Sequence, residues 1–221
     1  MFKMHAHKVV QFLGMNFNLD TVYMSLLASV IVLLLVLLAT RSLQLVPRSK
    51  GQVFIEMIVE GLMSQIDGTI GPKGRKVAPL VITLFVFLLI SNWLGLVPGF
   101  TSPTNDINCA AGLALMIVAV VNILGIMNNG FVGHFSHLFK PHFLFLPINL
   151  IEELAKPITL SARLFGNILA GEILIVILTQ LVPYLVPGIW LAFSIFVGFI
   201  QAGIFTMMSM TYLANALQDH H

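Results

Sequence analysis

One stretch of the chain limits its possible folds more than any other: residues 173–218 contain no Asp, Glu, Lys or Arg. A helix needs about 20 predominantly apolar residues to cross the hydrocarbon core of a bilayer, so this stretch is too long for a single crossing. Pro183, Pro187 and Gly188 interrupt it and predict a helical hairpin. The stretch therefore favours an integral membrane protein over a soluble domain.

The composition of the whole chain agrees with a membrane protein. Of the 221 residues, 58% are hydrophobic and only 9% are charged, whereas a soluble domain carries about 25% charged residues. The formal net charge of +2 is too small and too scattered to indicate nucleic-acid binding. The single cysteine, Cys109, excludes an intrachain disulfide and is interpreted as a packing residue.

Five membrane crossings are predicted. Three apolar runs of spanning length come first, at 21–40, 77–97 and 108–129. Two longer helices are predicted at 147–182 and 189–217, and at 1.5 Å per residue the first is roughly 50 Å long. Both exceed the ~30 Å hydrocarbon core, so we expect them to form a strongly tilted hairpin.

Residues 48–67 follow a different pattern. Polar residues recur every four positions, at Gln52, Glu56, Glu60 and Ser64, and apolar side chains fill the opposite side. This period predicts an amphipathic helix, which either lies at the membrane interface or packs on a partner as a soluble helix.

The basic residues predict an orientation. Six of the eleven lie between residues 41 and 76, whereas the loop 98–107 has none. By the positive-inside rule the first segment is cytoplasmic, so the N-terminus lies outside and, after five crossings, the C-terminus lies inside. Residues 1–19 lack the apolar core of a signal peptide, and we expect them to be retained as an external segment. The predicted fold is all-α, a single membrane domain over residues 1–221.

Residues 161–172, SARLFGNILAGE, place charged and polar side chains inside a predicted spanning helix. With about 100° per residue, Asn167 falls about 40° from Arg163, whereas Glu172 falls about 180° away and about 13 Å along the axis. Arg163 and Glu172 therefore face different neighbours. A charge at mid-membrane costs about 2.5 kcal/mol or more, so we expect a carboxylate from a facing protein beside Arg163. The alternative is a buried cation that ties two helices together.

Small residues surround this arginine. Thr159, Gly166 and Ala170 fall within about 60° of Arg163 and allow another helix to approach closely. Arginine stays protonated and cannot relay protons, whereas the carboxyl group of Glu172 can. For Glu172 and Asn167 the alternative is a role in helix packing.

The run LSARLFGNILAGEIL resembles the signature of subunit a, the membrane stator subunit of F-type ATP synthases of the bacterial type. Four further stretches match in the order of that family: SNWLGLVPGF at 91–100, SPTNDIN at 102–108, LPINLIEELAKPITL at 146–160 and FIQAGIFTMMSMTYL at 199–213. The resemblance extends from about residue 50 to the C-terminus.

The resemblance implies an ion-translocating stator subunit that faces a rotating ring of c subunits, each with a membrane-embedded carboxylate. Arg163 matches the essential arginine, which separates two offset half-channels so that protons or sodium ions ride the ring. Asn167 and Glu172 match polar positions on the same helix, with Glu172 toward the outer half-channel. Gln201 matches the polar residue opposite the arginine. Ser194 lies where several relatives carry histidine, which leaves proton relay there to Glu172 and water.

Six further residues are candidate linings of the half-channels: Glu152, Glu153, Thr159 and Ser161 on the inner side, and Asp106 and Asn108 on the outer side. The two glutamates equally fit solvated charges at a helix start. Asp106 and Asn108 equally fit an N-terminal cap of the third span.

The sequence contains no motif that predicts catalysis or the binding of a nucleotide or metal. It has no phosphate-cradling glycine loop, no metal-ligand spacing and no nucleophile–base pair. We therefore expect a noncatalytic subunit with no cofactor, no metal and no direct nucleotide binding. The resemblance implies that it resides in the bacterial plasma membrane with the c ring and the peripheral-stalk b subunits as partners. The alternatives are a self-contained ion channel or secondary transporter, and a structural membrane anchor.

Overall fold

The computed structural model describes residues 9–12, 15–40, 50–97, 99–136, 146–181 and 186–217. Within these ranges the chain forms six α-helices: α1 Leu19–Thr40, α2 Lys50–Thr69, α3 Ala78–Leu94, α4 Ile107–Ser136, α5 Leu146–Leu181 and α6 Val186–Leu217. Two short 3-10 helices, Pro72–Lys76 and Pro103–Asn105, precede α3 and α4.

The prediction of an all-α membrane protein is confirmed. Four of the described helices, α1, α4, α5 and α6, contain segments long and apolar enough to cross a membrane. The apolar helix α3 has 17 residues, which is roughly 25 Å at 1.5 Å per residue. It is shorter than the predicted span 77–97 because the chain turns after Leu94.

The described part of the N-terminal segment departs from the all-α architecture. Strands β1, Val9–Phe12, and β2, Met15–Asn18, form an antiparallel pair in which Val9 lies opposite Asn18. Because β2 runs directly into α1, the pair fixes Asn18 at the start of the first helix.

The core lies where α3, α4, α5 and α6 meet. Its fully or almost fully buried members include Val81 and Leu88 of α3, Ala110, Ala114 and Ile117 of α4, Leu160 and Leu164 of α5, and Ala202, Phe205 and Leu213 of α6. The alanines of α4 and α6 allow the helices to approach closely, as small residues do in membrane bundles. In contrast, most leucines and valines of α1 are exposed, as expected for a surface that faces lipid.

The amphipathic helix is present as α2. Its apolar side contacts the bundle, since Ile66 is buried and Ile58 and Leu62 pack against the core. Glu60 and Ser64, on the polar side, are exposed. The surface that covers its apolar side therefore belongs to the chain's own bundle, and its location at the membrane interface stays a prediction.

Helix α4 contains a break at Gly130, whose φ of 72° and ψ of 165° are not helical. Glycine adopts a positive φ without the steric cost of a Cβ atom. The predicted span 108–129 ends at this break, but residues 131–136 return to helical geometry. One glycine with a positive φ therefore interrupts the helix at the end of the predicted span without ending it. Residues 137–145 lie outside the described ranges.

Candidate functional site

Helix α5 carries most of the predicted site residues. It has 36 residues, so its length is roughly 54 Å. The helix continues through Pro157. The Ser161 hydroxyl donates to the carbonyl oxygens of Pro157 at 2.8 Å and Ile158 at 3.0 Å. Ser161 is buried, so the structure places this predicted lining residue inside the bundle with its hydroxyl used within the helix.

Arg163 lies between the buried and the exposed sides of α5. Leu160 and Leu164 are buried in the core, whereas Thr159 and Ala170 are exposed and Arg163 itself is half-buried. The guanidinium of Arg163 makes no hydrogen bond or ion pair with any residue that the structure describes. The described part of the chain therefore supplies no hydrogen-bonding or ion-pairing partner for this charge.

Two further predicted residues are polar groups near the middle of the helices. Asn167 is half-buried, one helical turn after Arg163. Gln201 of α6 is only 6% exposed, and its Nε2 atom has no hydrogen-bond partner in the described structure. Most buried polar groups in proteins are hydrogen-bonded, so Gln201 is an unusual residue in this part of α6. No hydrogen bond joins Gln201 to Arg163 in the described structure.

Glu172 accepts a hydrogen bond from the loop between α3 and α4. The Nδ2 atom of Asn105 donates to Oε2 of Glu172 at 2.7 Å. Asn105 is the last residue of the short 3-10 helix that begins at Pro103. Half-buried Glu172 therefore lies at the end of the bundle where the loop 98–107 is found.

The start of α6 approaches the same end of α5. Nε1 of Trp190 donates to the carbonyl oxygen of Gly171 at 3.4 Å, next to Glu172 in the chain. Ser194 follows Trp190 by one helical turn and is half-buried. The structure thus brings the segment that carries Ser194 against the segment that carries Glu172.

Asp106 joins three segments of the chain. Its Oδ1 atom accepts hydrogen bonds from the backbone N–H of Asn108 at 2.9 Å and from Nδ2 of Asn108 at 3.0 Å, which is the geometry of a helix N-cap. Its Oδ2 atom accepts from Asn18 at 2.5 Å and from Thr21 at 3.2 Å. Burial acts to raise the pKa of the carboxyl group, but the hydrogen bonds from Asn108, Asn18 and Thr21 outweigh it, and the pKa lies below the ordinary 3.8. Of the two predicted residues, Asp106 is the one that caps α4.

The other end of α5 holds a compact charged group. Nζ of Lys156 lies 2.5 Å from Oε2 of Glu153 and 5.5 Å from the ring centroid of Tyr212 on α6. The carboxylate of Glu153 is thus engaged within the chain, whereas Glu152 is exposed. Glu153 is about 28 Å from Glu172 along the helix axis, and Lys156 is about 24 Å from it.

Sequence reasoning missed Asn105 and Asn92 as individual residues. Asn92 is buried, and its Nδ2 atom donates to the carbonyl oxygen of Gly198 at 3.0 Å, where a Cβ on Gly198 would lie 3.3 Å from Cβ of Asn92. The available signal for Asn92 was an amide inside an apolar run. For Asn105 it was the position directly before Asp106 in the matched stretch SPTNDIN.

The fold and the site together define a class of protein. The chain is a multi-pass, all-α membrane protein in which one long helix bears a half-buried arginine beside exposed small residues and, further along, a glutamate held by a loop.

The comparison with known proteins names the family within this class. The family model described as ATP synthase A chain matches residues 22–214, so the chain belongs to this family and the resemblance seen in its motifs is confirmed. A function in proton transport fits this family.

Several bacterial relatives are similar over most of their length. ATP synthase subunit a of Desulforamulus reducens is 38% identical over 221 residues, which cover 95% of this chain and 84% of the relative. Subunit a of Moorella thermoacetica is 37% identical over 201 residues, covering 91% of this chain and 92% of the relative. ATP synthase subunit a 2 of Syntrophotalea carbinolica is 42% identical over 189 residues, covering 84% and 80%.

Proposed function

We propose that this chain is the ion-translocating stator subunit of a rotary F-type ATP synthase. It provides two offset half-channels and couples proton or sodium flow to rotation of a c ring and thereby to ATP synthesis elsewhere in the complex. The observation that carries the proposal is Arg163, a half-buried cation in an apolar helix with no acceptor in the described part of its own chain. The ring carboxylates are the acceptors it requires.

The electrostatics of this pairing suits a moving contact. Two unit charges 4 Å apart attract by about 4 kcal/mol at an effective dielectric constant of 20. This attraction keeps a ring carboxylate ionised beside Arg163, yet it is weak enough to release the carboxylate when a protonation site is next to it. Because arginine stays protonated, Arg163 also prevents protons from passing directly from one half-channel to the other.

Glu172 serves the outer half-channel in this proposal. Its carboxyl group can take up and release a proton, and its contact with Asn105 supports a location at the end of the bundle that holds the loop 98–107. The positive-inside rule puts this end outside the bacterial plasma membrane and the C-terminus in the cytoplasm. Asn167 and Ser194 supply non-titrating polar groups between this end and the arginine, and Gln201 supplies one opposite the arginine.

The inner half-channel starts near the opposite end of α5. Exposed Glu152 and Thr159 are the proposed lining residues there. Glu153 and Ser161, whose polar atoms are engaged within the chain, support the wall of this path instead. The peripheral-stalk b subunits hold the chain still while the ring turns, and the chain itself binds no nucleotide and catalyses no reaction.

The test is Arg163→Ala in the intact complex. Proton-driven ATP synthesis in membrane vesicles should fall to background, while the subunit still co-purifies with the ring. The matched control is Arg75→Ala, because the Arg75 side chain is 72% exposed and pairs with Asp67 at 3.7 Å, and it should synthesise ATP at the wild-type rate. Wild-type synthesis by the Arg163→Ala complex would refute the proposal.

A second measurement separates the proposal from a self-contained channel. The purified subunit alone, reconstituted in vesicles, should give no selective proton conductance, and conductance should appear when the c ring is added. Selective conductance by the subunit alone would favour the channel.

A further inference from the structure

We infer that Asn105 is a positioning residue for ion uptake, which holds the carboxylate of Glu172 in the orientation that accepts an incoming proton. This inference rests on the proposed function of Glu172 in the outer half-channel. Asn105 lies 67 residues from Glu172 in the chain and on a different element, so the contact depends on the tertiary fold.

The contact has the geometry of a charge-assisted hydrogen bond. Nδ2 of Asn105 lies 2.7 Å from Oε2 of Glu172, within the 2.7–2.9 Å typical of bonds to ionised groups. An ionised carboxylate only accepts hydrogen bonds, and the amide nitrogen is the only donor of the asparagine side chain. The amide nitrogen rather than the oxygen must therefore face Glu172 when its carboxyl group is ionised.

The backbone that presents Asn105 is held on both sides. Before it, Thr104 is fully buried and its hydroxyl lies 2.8 Å from that of Ser102, which in turn donates to the carbonyl oxygen of Ser91 at 2.9 Å. After it, Asp106 is fixed by its cap on α4 and by its bonds to the start of α1. Because the backbone is fixed on both sides, the side chain of Asn105 can hold Glu172 in one rotamer. A side chain on a mobile loop could not do this.

The second polar atom of Asn105 supports a function beyond packing. Oδ1 of Asn105 is buried and has no hydrogen-bond partner among the described residues. The side chain therefore gives its donor to Glu172 and keeps, beside that bond, a buried acceptor that no described residue uses. The amide does not titrate, so Asn105 orients the transfer and Glu172 performs it. Proton transfer requires the proton donor and the proton acceptor to lie within about 2.6–3.2 Å of each other, directly or through one water.

The experiment measures passive proton uptake through the membrane sector of the complex in vesicles, with c-ring co-purification as the check on assembly. Asn105→Ala should slow uptake about tenfold, the effect expected from loss of one hydrogen bond to a charged group. Asn105→Asp keeps the shape but replaces the donor with an acceptor, so it should slow uptake at least as much. If Asn105 only filled space, Asn105→Asp would behave as the wild type and the inference would be wrong.

A matched control and a second background complete the test. Gln52→Ala removes an amide that donates to Glu56 at the same distance, 2.7 Å, on α2, and it should leave uptake unchanged. In a Glu172→Gln background, Asn105→Ala should cause no further loss, because no carboxylate remains to be positioned.

The possible failures are distinguishable. An equal loss from Asn105→Ala with and without Glu172 would overturn the inference, as would normal uptake in Asn105→Ala when Glu172→Gln alone is slow. Normal uptake in Glu172→Gln itself would overturn the proposed function of Glu172.

Discussion

Arg163 and Glu172 lie nine residues apart on α5 and differ in what holds them. Glu172 receives a hydrogen bond from a loop of its own chain, whereas Arg163 has no acceptor in the described ranges. A membrane-embedded charge is costly unless it is paired. This difference fits the proposed function, in which the glutamate keeps one position while the arginine meets a succession of carboxylates on the ring.

The shape of the Arg163 cation should matter as well as its charge. Arg163→Lys keeps a positive charge but replaces the planar guanidinium, whose rigid fork of donors matches a carboxylate, with a compact ammonium. We expect ATP-driven proton pumping to fall at least about tenfold, with normal assembly. Fluorescence quenching of a pH-sensitive dye in vesicles measures this, with Arg75→Lys as the control. Full pumping by Arg163→Lys would show that any cation suffices.

At the scale of elements, the joint between α1 and α4 depends on one carboxylate. Asp106 caps α4 and accepts hydrogen bonds from Asn18 and Thr21 at the start of α1. Asp106→Ala should lower the free energy of unfolding by about 1 kcal/mol, the usual cost of a lost N-cap. Asp106→Asn should cost less, because asparagine caps helices nearly as well. Thermal unfolding of the purified subunit in detergent measures both, and no loss in Asp106→Ala would contradict the capping role.

The same carboxylate predicts a pH dependence. The folded pKa of Asp106 lies below the ordinary 3.8, so its stabilising contribution is complete above that value and is lost as the pH falls through the folded pKa. The difference in unfolding temperature between wild type and Asp106→Asn should therefore shrink as the pH falls from 6 toward 3. A difference that stayed constant over this range would contradict the assignment.

The contact between α3 and α6 depends on a glycine. A Cβ on Gly198 would lie 3.3 Å from Cβ of Asn92 and 3.5 Å from Cδ1 of Trp93, whereas a Cβ on Gly203 would meet nothing within 4 Å. Gly198→Leu should therefore destabilise the subunit by about 1–3 kcal/mol, as overpacking does. Gly203→Leu on the same helix is the control. Equal unfolding temperatures for the two variants would show that the helices separate freely at Gly198.

Over the whole molecule, hydropathy predicted the helices whose length and apolar composition are set by the thickness of the bilayer. The positions of the long helices follow from apolar length, and the amphipathic α2 follows from its period of four. Contacts between distant segments were not predictable in this way. The bond from Asn105 to Glu172 and the bond from Asn92 to Gly198 depend on how the helices pack, and no local pattern encodes that. The N-terminal strand pair and the helical residues after Gly130 were not predicted for another reason. Each is a short segment whose backbone conformation is not marked by a distinctive amino-acid composition.

The outer surface of the bundle leaves room for both lipid and a partner. An apolar stripe along α6 is exposed, formed by Ile189, Phe193, Phe196, Ile200, Ile204 and Met207. Exposed Thr159 and Ala170 lie within about 40° of Arg163 on α5. We propose that the face that contains Arg163, Thr159 and Ala170 meets the ring, and that the leucines of α1 face lipid.

Disulfide crosslinking tests this assignment most directly. In a Cys109→Ala background, which removes the single native cysteine, Thr159→Cys and Ala170→Cys should each crosslink to cysteines placed on the outer helix of the c ring. Leu34→Cys, which replaces a leucine on α1 that is 52% exposed, should not. Crosslinks from residue 34 with none from residues 159 and 170 would contradict the claim that the arginine face meets the rotor.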